Sequence, residues 1–343
     1  AAELDLAGND YLGLSRHPEV TAAAARAAVT WGAGAAASRL VTGTLGLHEE
    51  LEAELAAWLG QPSALVLSTG YHANLGVVAA LGGRGVQVIS DAHIHASLID
   101  AVRLSRSDLA VVPHNDTAAV RAALEARTAT RSIILAESIY SVLGDAAPLV
   151  ELAALAEEFD ALLVVDEAHG VGVHGAGLVR ELGLHDRPHV LVSATLSKSL
   201  GAQGGAILSP VAVREHLVNR ARPFIFDTGL APASAAGALA AARIARRSPE
   251  LGMRIQRRVV ALSERLGQAP PAGAVISIPM PSPQAALDAQ AKLAADGIRV
   301  GCFRPPSVPD GISRLRVTAN AGVPDEAWEL AADALLRVVG ELA

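Results

Sequence analysis

Short apolar runs without polar alternation recur at residues 64–67, 86–90, 133–136, 162–165, 190–193 and 206–208. Such runs suit strands buried on both faces, as in a parallel sheet covered by helices. Helical patterns separate them. Leu47, Leu51, Leu55 and Trp58 repeat at three- to four-residue spacing, and Gly60 with Pro62 stops that helix. Asp116 or Thr117 caps a helix running to about Arg127. Pro148 opens another, with Leu149, Leu152, Leu155 and Phe159 as its buried stripe. Strand and helix alternate six times, which predicts an α/β fold with a doubly wound, mostly parallel central sheet.

After about Arg247 the pattern changes to longer helices and fewer strands. Residues 275–278 and 315–317 read as strands, and 283–296 and 324–342 as helices. The expected organisation is a large domain over 41–247 and a smaller α+β C-terminal domain over 248–343. The N-terminal segment 1–40 is expected to pack with the small domain.

Composition narrows the classes. Hydrophobic residues are 51% and charged residues 18% of 343, so a large core is expected and disorder is not. Aromatics are only 3%, so the core must be Ala, Leu and Val. A net charge of −7 argues against nucleic acid as a partner. Phosphate ligands stay open, because helix N-terminal amides bind anions even on an acidic protein. The single cysteine, Cys302, rules out an internal disulfide and a thiolate metal cluster, and fits a reducing cytoplasm. No apolar run has transmembrane length, and the Ala-rich stretch 230–242 is interrupted by Pro232. No basic-then-apolar signal segment opens the chain. A cytoplasmic protein without a membrane partner is expected.

Four stretches carry chemistry. The run Leu162-Leu163-Val164-Val165-Asp166-Glu167-Ala168-His169-Gly170 takes a buried strand into a carboxylate and then a histidine. Ligands of open α/β sheets bind outside the carboxyl ends of strands, where Asp166 falls. A carboxylate there pairs with a buried cation such as a protonated pyridine nitrogen. Alone, such a pair also reads as a strand-end cap beside a surface histidine. A helicase reading of Asp-Glu-Ala-His is poor, since no phosphate loop ending in Gly-Lys-Ser/Thr occurs.

The strand at 190–193 leads into Thr195-Leu196-Ser197-Lys198-Ser199-Leu200-Gly201. Most of the 28 basic residues are Arg, so a lysine among small hydroxyl residues after a buried strand is unusual. Burial lowers its pKa and leaves a nucleophilic amine, unless it simply snorkels from a loop. Thr195 is placed to hydrogen-bond a phosphate. The turn Ser68-Thr69-Gly70-Tyr71-His72-Ala73-Asn74 offers helix N-terminal amides to the same anion, with Gly70 permitting close approach. His93 and His95, in Asp91-Ala92-His93-Ile94-His95, lack a convincing third ligand, so metal is the weaker reading and a ring stacked on a flat cofactor the stronger.

These pieces, with Asn9-Asp10-Tyr11-Leu12-Gly13, Ser38-Arg39-Leu40-Val41, Glu137-Ser138, Gly144-Asp145 and Ser313-Arg314-Leu315-Arg316, occur in one order over nearly the whole chain. Together they resemble the α-oxoamine synthase family of fold-type I pyridoxal 5′-phosphate (PLP) enzymes. The resemblance implies that Lys198 carries the cofactor as a Schiff base and that Asp166 partners the pyridine nitrogen. It makes His169 and Ser141 hydrogen-bond partners of the phenolic oxygen, and His95 the stacked ring that also meets the acyl substrate. Gly70, Tyr71 and Thr195 become phosphate contacts. Thr228 becomes a residue reaching the other subunit's phosphate, which implies a homodimer with its active site at the interface. Arg316 becomes the clamp for the amino-acid carboxylate, with Asn9 nearby.

Within the family, Phe303-Arg304-Pro305-Pro306-Ser307-Val308-Pro309 is most similar to members that join L-alanine to a pimeloyl thioester in biotin biosynthesis, with Ser307 touching substrate. The thioester carrier is coenzyme A or acyl carrier protein. Glycine-using members, which make 2-amino-3-oxobutyrate or 5-aminolevulinate, are the nearest alternative, and an aminotransferase is a second. An idle partner subunit is a third, disfavoured because Lys198 is retained. A dinucleotide-binding Rossmann protein is disfavoured, since no G-x-G-x-x-G follows an early strand. Two departures stand out. Leu143 replaces the Asp usual in the family, for which altered loop packing is expected. An Arg often supplied ahead of Asn9 to the acyl chain's far carboxylate cannot be placed.

Overall fold

The computed structural model describes residues 4–306, 308 and 310–342. Its strands are β1 (Leu4–Asp5), β2 (Ser63–Leu67), β3 (Val86–Asp91), β4 (Asp108–Val112), β5 (Arg131–Glu137) and β6 (Leu162–Asp166). They continue with β7 (Val190–Thr195), β8 (Gly205–Ser209), β9 (Val275–Pro279), β10 (Ile298–Arg299), β11 (Gly301–Phe303) and β12 (Arg314–Thr318). Seven make the large sheet, in the order β2-β8-β7-β6-β5-β3-β4. From β4 across to β7 every pair is parallel, and β8 runs antiparallel to both β7 and β2. The sheet is thus mostly parallel, with one reversed strand.

Every apolar run read from the sequence lies in one of these strands. The exception runs the other way: β4 escaped the pattern. It is an edge strand: its apolar run 109–112 is as long as the others, but Asp108, Leu109 and Val111 are exposed instead of buried on both faces. Pro232 needs a correction too. It does not interrupt an apolar run but starts the helix Pro232–Arg247, in whose first turn a missing N–H costs nothing. The buried alanines of that helix, among them Ala235, Ala238 and Ala242, give it a flat face against the helices Pro18–Trp31 and Gly46–Leu59.

A buried ion pair ties Gly46–Leu59 to the sheet. Glu52 accepts from the Val66 amide at 2.8 Å and pairs with Arg39 at 2.9 Å, while Arg39 donates to the Val66 carbonyl at 3.0 Å. Removing one partner of such a pair costs about 3–5 kcal/mol, because the other is left buried and unpaired. Beyond the large sheet, β11-β12-β9 form a small antiparallel sheet, and β1 pairs in parallel with β10. The chain's first residues join this part: Thr318 donates to the Leu6 carbonyl at 2.8 Å and Ala321 to that of Tyr11 at 2.7 Å. Among the described residues, no helix is long and apolar enough to cross a membrane.

Candidate active site

The parallel strands end in chemistry. Glu137, Asp166 and Thr195 close β5, β6 and β7, and the pairing register sets Glu137 directly beside Asp166. With the helix starts Gly70–Leu81 and Ala96–Ser105 they surround a cleft of about 240 Å³ into which Lys198 reaches. Gly70, Tyr71, His95, Asp166, Thr195 and Lys198 all border it, so six of the residues singled out from sequence meet there.

The floor is a satisfied hydrogen-bond network centred on Asn74, whose role the sequence did not disclose. Its carboxamide oxygen accepts from Ser193 Oγ at 2.5 Å, and its nitrogen donates to Asp166 Oδ2 at 2.7 Å and Ser97 Oγ at 2.8 Å. The other Asp166 oxygen accepts from the Ala168 amide at 2.9 Å. Ser97 passes the orientation on to His95: its amide donates to Nδ1 at 3.2 Å and its hydroxyl lies 2.8 Å from the same nitrogen. Nδ1 is therefore the acceptor, and Nε2 carries the hydrogen. Burial lowers the His95 pKa, against the pull of Asp166, which favours the neutral ring.

A second chain of hydrogen bonds leaves Lys198. Its Nζ donates to His169 Nε2 at 2.8 Å, which makes Nδ1 the ring's N–H, and that nitrogen lies 2.6 Å from the Tyr11 hydroxyl. Tyr11 donates to Asn9 Oδ1 at 3.0 Å, and Arg316 donates to the same oxygen with both terminal nitrogens at 3.2 Å. Burial, then the Lys198 and Arg316 charges, hold the His169 pKa well below its usual value, so the ring stays neutral. Burial pushes Tyr11 up to about 12 against Arg316, so it stays protonated. Burial brings Lys198 down to about 8, with Asp166 and Glu137 opposing. An amine with that pKa is neutral in roughly a fifth of molecules at pH 7.4, far more than an ordinary lysine, and that fraction is nucleophilic.

Arg316 is buried, yet among the described residues it has no carboxylate partner; its third donor, Nε, goes to the Ser141 carbonyl at 2.9 Å. A buried guanidinium without an acid is matched to an anionic ligand. Ser141 itself borders a neighbouring pocket rather than the Lys198 cleft. Tyr71 borders the cleft, but its hydroxyl donates to Asp100 at 2.5 Å. Thr228 is exposed away from the cleft and forms a β-bridge with Ser38. Ser307 lies outside the described residues. Leu143 lines the pocket that Ser141 borders.

The histidine pair does not assemble as the sequence posed it. His93 groups with Asp91 and His114 instead of with His95. Both His114 nitrogens are already engaged, by Asp91 at 2.9 Å and Asp145 at 2.7 Å. Burial opposes charge on His114, but these bonds outweigh it and raise its pKa, so the ring serves as a cation and not as a metal ligand.

The comparisons with known proteins fit this geometry. The sequence profile of class I and II aminotransferases matches residues 2–335. The chain belongs to that family. Within it, the chain is 51% identical over 343 residues to the 8-amino-7-oxononanoate synthase of Mycolicibacterium smegmatis, covering 99% of this chain and 90% of the relative. A serine palmitoyltransferase from S. paucimobilis, solved with bound PLP, superposes with a TM-score of 0.94 at 29% identity, over 99% of this chain and 88% of that one. The Francisella tularensis 8-amino-7-oxononanoate synthase shares the fold at a TM-score of 0.83 and 23% identity, over 99% and 98% of the two chains.

As in these family members, the cofactor is pyridoxal phosphate. The residues present fit it. The N-terminal amides of the Gly70–Leu81 helix have no intrahelical acceptor, and the hydroxyls of Thr195 and Ser197, 2.7 Å apart, lie beside them. A Cβ on Gly70 would stand 2.9 Å from Thr195 Cβ, so glycine keeps the two sides of that cradle together. Asp166 offers a carboxylate at the other end, and Glu137 Oε1 is buried there without a partner.

Proposed function

We propose that this chain condenses L-alanine with a pimeloyl thioester to give 8-amino-7-oxononanoate, free thiol and CO₂, as a step of biotin biosynthesis. The observation that carries the site assignment is the unbroken series Lys198–His169–Tyr11–Asn9–Arg316, which sets an amine of lowered pKa within one network with an uncompensated guanidinium. In this reading Lys198, Asp166 and His169 hold the reactive end and ring of pyridoxal phosphate, and Gly70, Tyr71, Thr195 and Ser197 its phosphate. The bound cofactor supplies an electron sink for a carbanion at the amino-acid Cα.

The protein groups do the rest. Arg316, steadied by Asn9, holds the alanine carboxylate. Lys198 Nζ takes the Cα proton as general base. The Cα–acyl bond forms and the C–S bond breaks, while His95 Nε2–H donates to the oxygen on which charge develops. The bond from Cα to the carboxylate then breaks, and a proton returns to Cα. His169 keeps its tautomer throughout because Tyr11 holds Nδ1.

Two copies assemble, in this reading, with Thr228 turned toward the second phosphate. The Ser38–Thr228 bridge gathers Leu40, Val41 and Phe226, all large, apolar and exposed, into one region, as expected of a face that another subunit covers. The large unit spans 41–247; β1 joins the chain's first residues to the unit at 248–343, while the helix Pro18–Trp31 packs on Pro232–Arg247 of the large unit. The single unpaired Cys302 suits a cytoplasmic enzyme.

The test is thiol release by PLP-loaded protein offered L-alanine or glycine against pimeloyl-, acetyl- or succinyl-coenzyme A. Release with L-alanine and pimeloyl-coenzyme A is expected. Preference for glycine with a short acyl group would overturn the substrate assignment. Light scattering after gel filtration is expected to give twice the chain mass.

A further inference from the structure

The pocket beside the cleft holds about 430 Å³ and shares His95 with it. Its walls include Ile99, Val142, Leu143 and Val308, so most of its surface offers an alkyl chain nothing but van der Waals contact. The polar side chains on it are His93, His95, Tyr140 and Ser141, and of these His93 has no role in the Lys198 cleft or its network. His93 borders the pocket two residues before His95, its ring stacked on His114 with centroids 4.0 Å apart and planes at 20°.

Among the described residues, His93 Nδ1 is buried without a partner. An orphaned buried N–H is rarer and costlier than an orphaned acceptor, so Nδ1 is the bare nitrogen and Nε2 bears the hydrogen. Among the described residues Nε2 has no hydrogen-bond partner, which leaves its N–H to the pocket. Burial, then the neighbouring His114 cation, lower the His93 pKa and keep the ring neutral. Asp91 fixes the backbone here, accepting from the His93 amide at 2.7 Å while engaging His114 on the other side.

We propose that His93 is a specificity-determining residue, whose Nε2–H receives the carboxylate at the far end of the acyl chain while His95 serves the thioester end. The inference rests on the reaction proposed above. The two Cα atoms, two residues apart, are at most about 7 Å from each other, a span that a dicarboxylic acyl chain covers with its methylenes against the apolar walls. Leu143 gains a purpose in this arrangement: it adds apolar wall and keeps a negative charge out of a pocket that receives one.

The experiment compares pimeloyl-coenzyme A with heptanoyl-coenzyme A, which has the same length but ends in a methyl group, using PLP-loaded protein and L-alanine. The unsubstituted protein is expected to favour the pimeloyl substrate. In His93→Leu, KM for it should rise about 10- to 100-fold with little change in kcat, while heptanoyl kinetics stay as they were, so that the preference disappears. His93→Gln retains an N–H donor and should recover part of the preference; it also serves if the leucine variant does not fold. Equal treatment of the two acyl groups by the unsubstituted protein, or a preference that survives in both variants, overturns the role of His93. Absence of thiol release before any substitution overturns the proposed reaction itself, and this role with it.

Discussion

The Lys198 cleft and the His93 pocket share a wall but are built on opposite terms. Around Lys198 the polar atoms are numerous and nearly all engaged: Asn74 uses its oxygen and both its hydrogens, Nδ1 of His95 is held by Ser97, and both nitrogens of His169 have partners. Around His93 the lining is largely apolar, and the ring is set by stacking on His114 instead of by hydrogen bonds to its own nitrogens. The difference follows from what each must do. Where charge develops, donors must be oriented before the reaction, since reorienting them during it costs catalysis. Where an alkyl chain is only accommodated, shape and desolvation suffice and one directional contact selects the end group.

The comparison breaks most completely at Lys198. Lys198→Ala removes the general base and cofactor anchor, and thiol release should fall by at least about 10³-fold. Cofactor retained through gel filtration should fall with it. An enzyme with near-normal turnover would end the assignment. Asp166→Ala should lower kcat by about 10²–10³-fold, because it removes the buried carboxylate facing the ring and frees Asn74 from one of its two acceptors. Steady-state kinetics under saturating PLP separate that loss from weaker cofactor binding.

Much of the cleft was legible in the sequence, and the reason is physical. Buried parallel strands show as apolar runs, and ligands collect at their carboxyl ends, so Asp166 and Thr195 stood out by position alone. Lys198 stood out because only one other lysine, Lys292, occurs in the chain. Glu137 gave a fainter version of the same signal, an acid ending an apolar run, but the register that sets it beside Asp166 is a property of the sheet. Asn74 sits inside a helix and Tyr11 in a loop, and each acts through partners far along the chain, so neither announces itself. The His93–His114 stack was hidden for a related reason. The ends of β3 and β4 bring it together, Ala92 donating to the Val112 carbonyl at 3.0 Å, and that pairing is a property of the sheet.

Asn74→Ala sharpens the contrast at a smaller scale. The substitution leaves Ser193 without an acceptor and Asp166 Oδ2 and Ser97 without the Asn74 donor. As a positioning residue its loss should lower kcat about 10- to 100-fold and leave KM for the acyl substrate nearly unchanged. If KM moved instead, the network would be shaping the binding pocket and the division between the two regions would fail. Glu52→Ala is the control from the frame: about 3–5 kcal/mol of stability lost through the uncompensated Arg39, with the turnover of the folded protein little affected. Chemical denaturation measures the first and thiol release the second.

The smallest expected effect is a pH dependence, and it comes from Glu137, one of whose carboxylate oxygens has no hydrogen-bond partner among the described residues. Burial, then the charge of Asp166, raise the Glu137 carboxyl from its ordinary 4.5 to about 8. Between these values the folded, cofactor-free protein holds a proton that the unfolded chain has released. Stability therefore falls as pH rises through that window, and the contribution is lost above the folded value. Glu137→Gln removes this titration and keeps the shape. Its melting temperature in the cofactor-free state should decline less between pH 4.5 and 8 than that of the unsubstituted protein. Parallel curves would mean that Glu137 is ionised across this range in the empty cleft, with the Lys198 cation as its counter-charge. That outcome would also move the lysine's own pKa upward, so the same pair of melting curves reports on the protonation state from which the reaction starts.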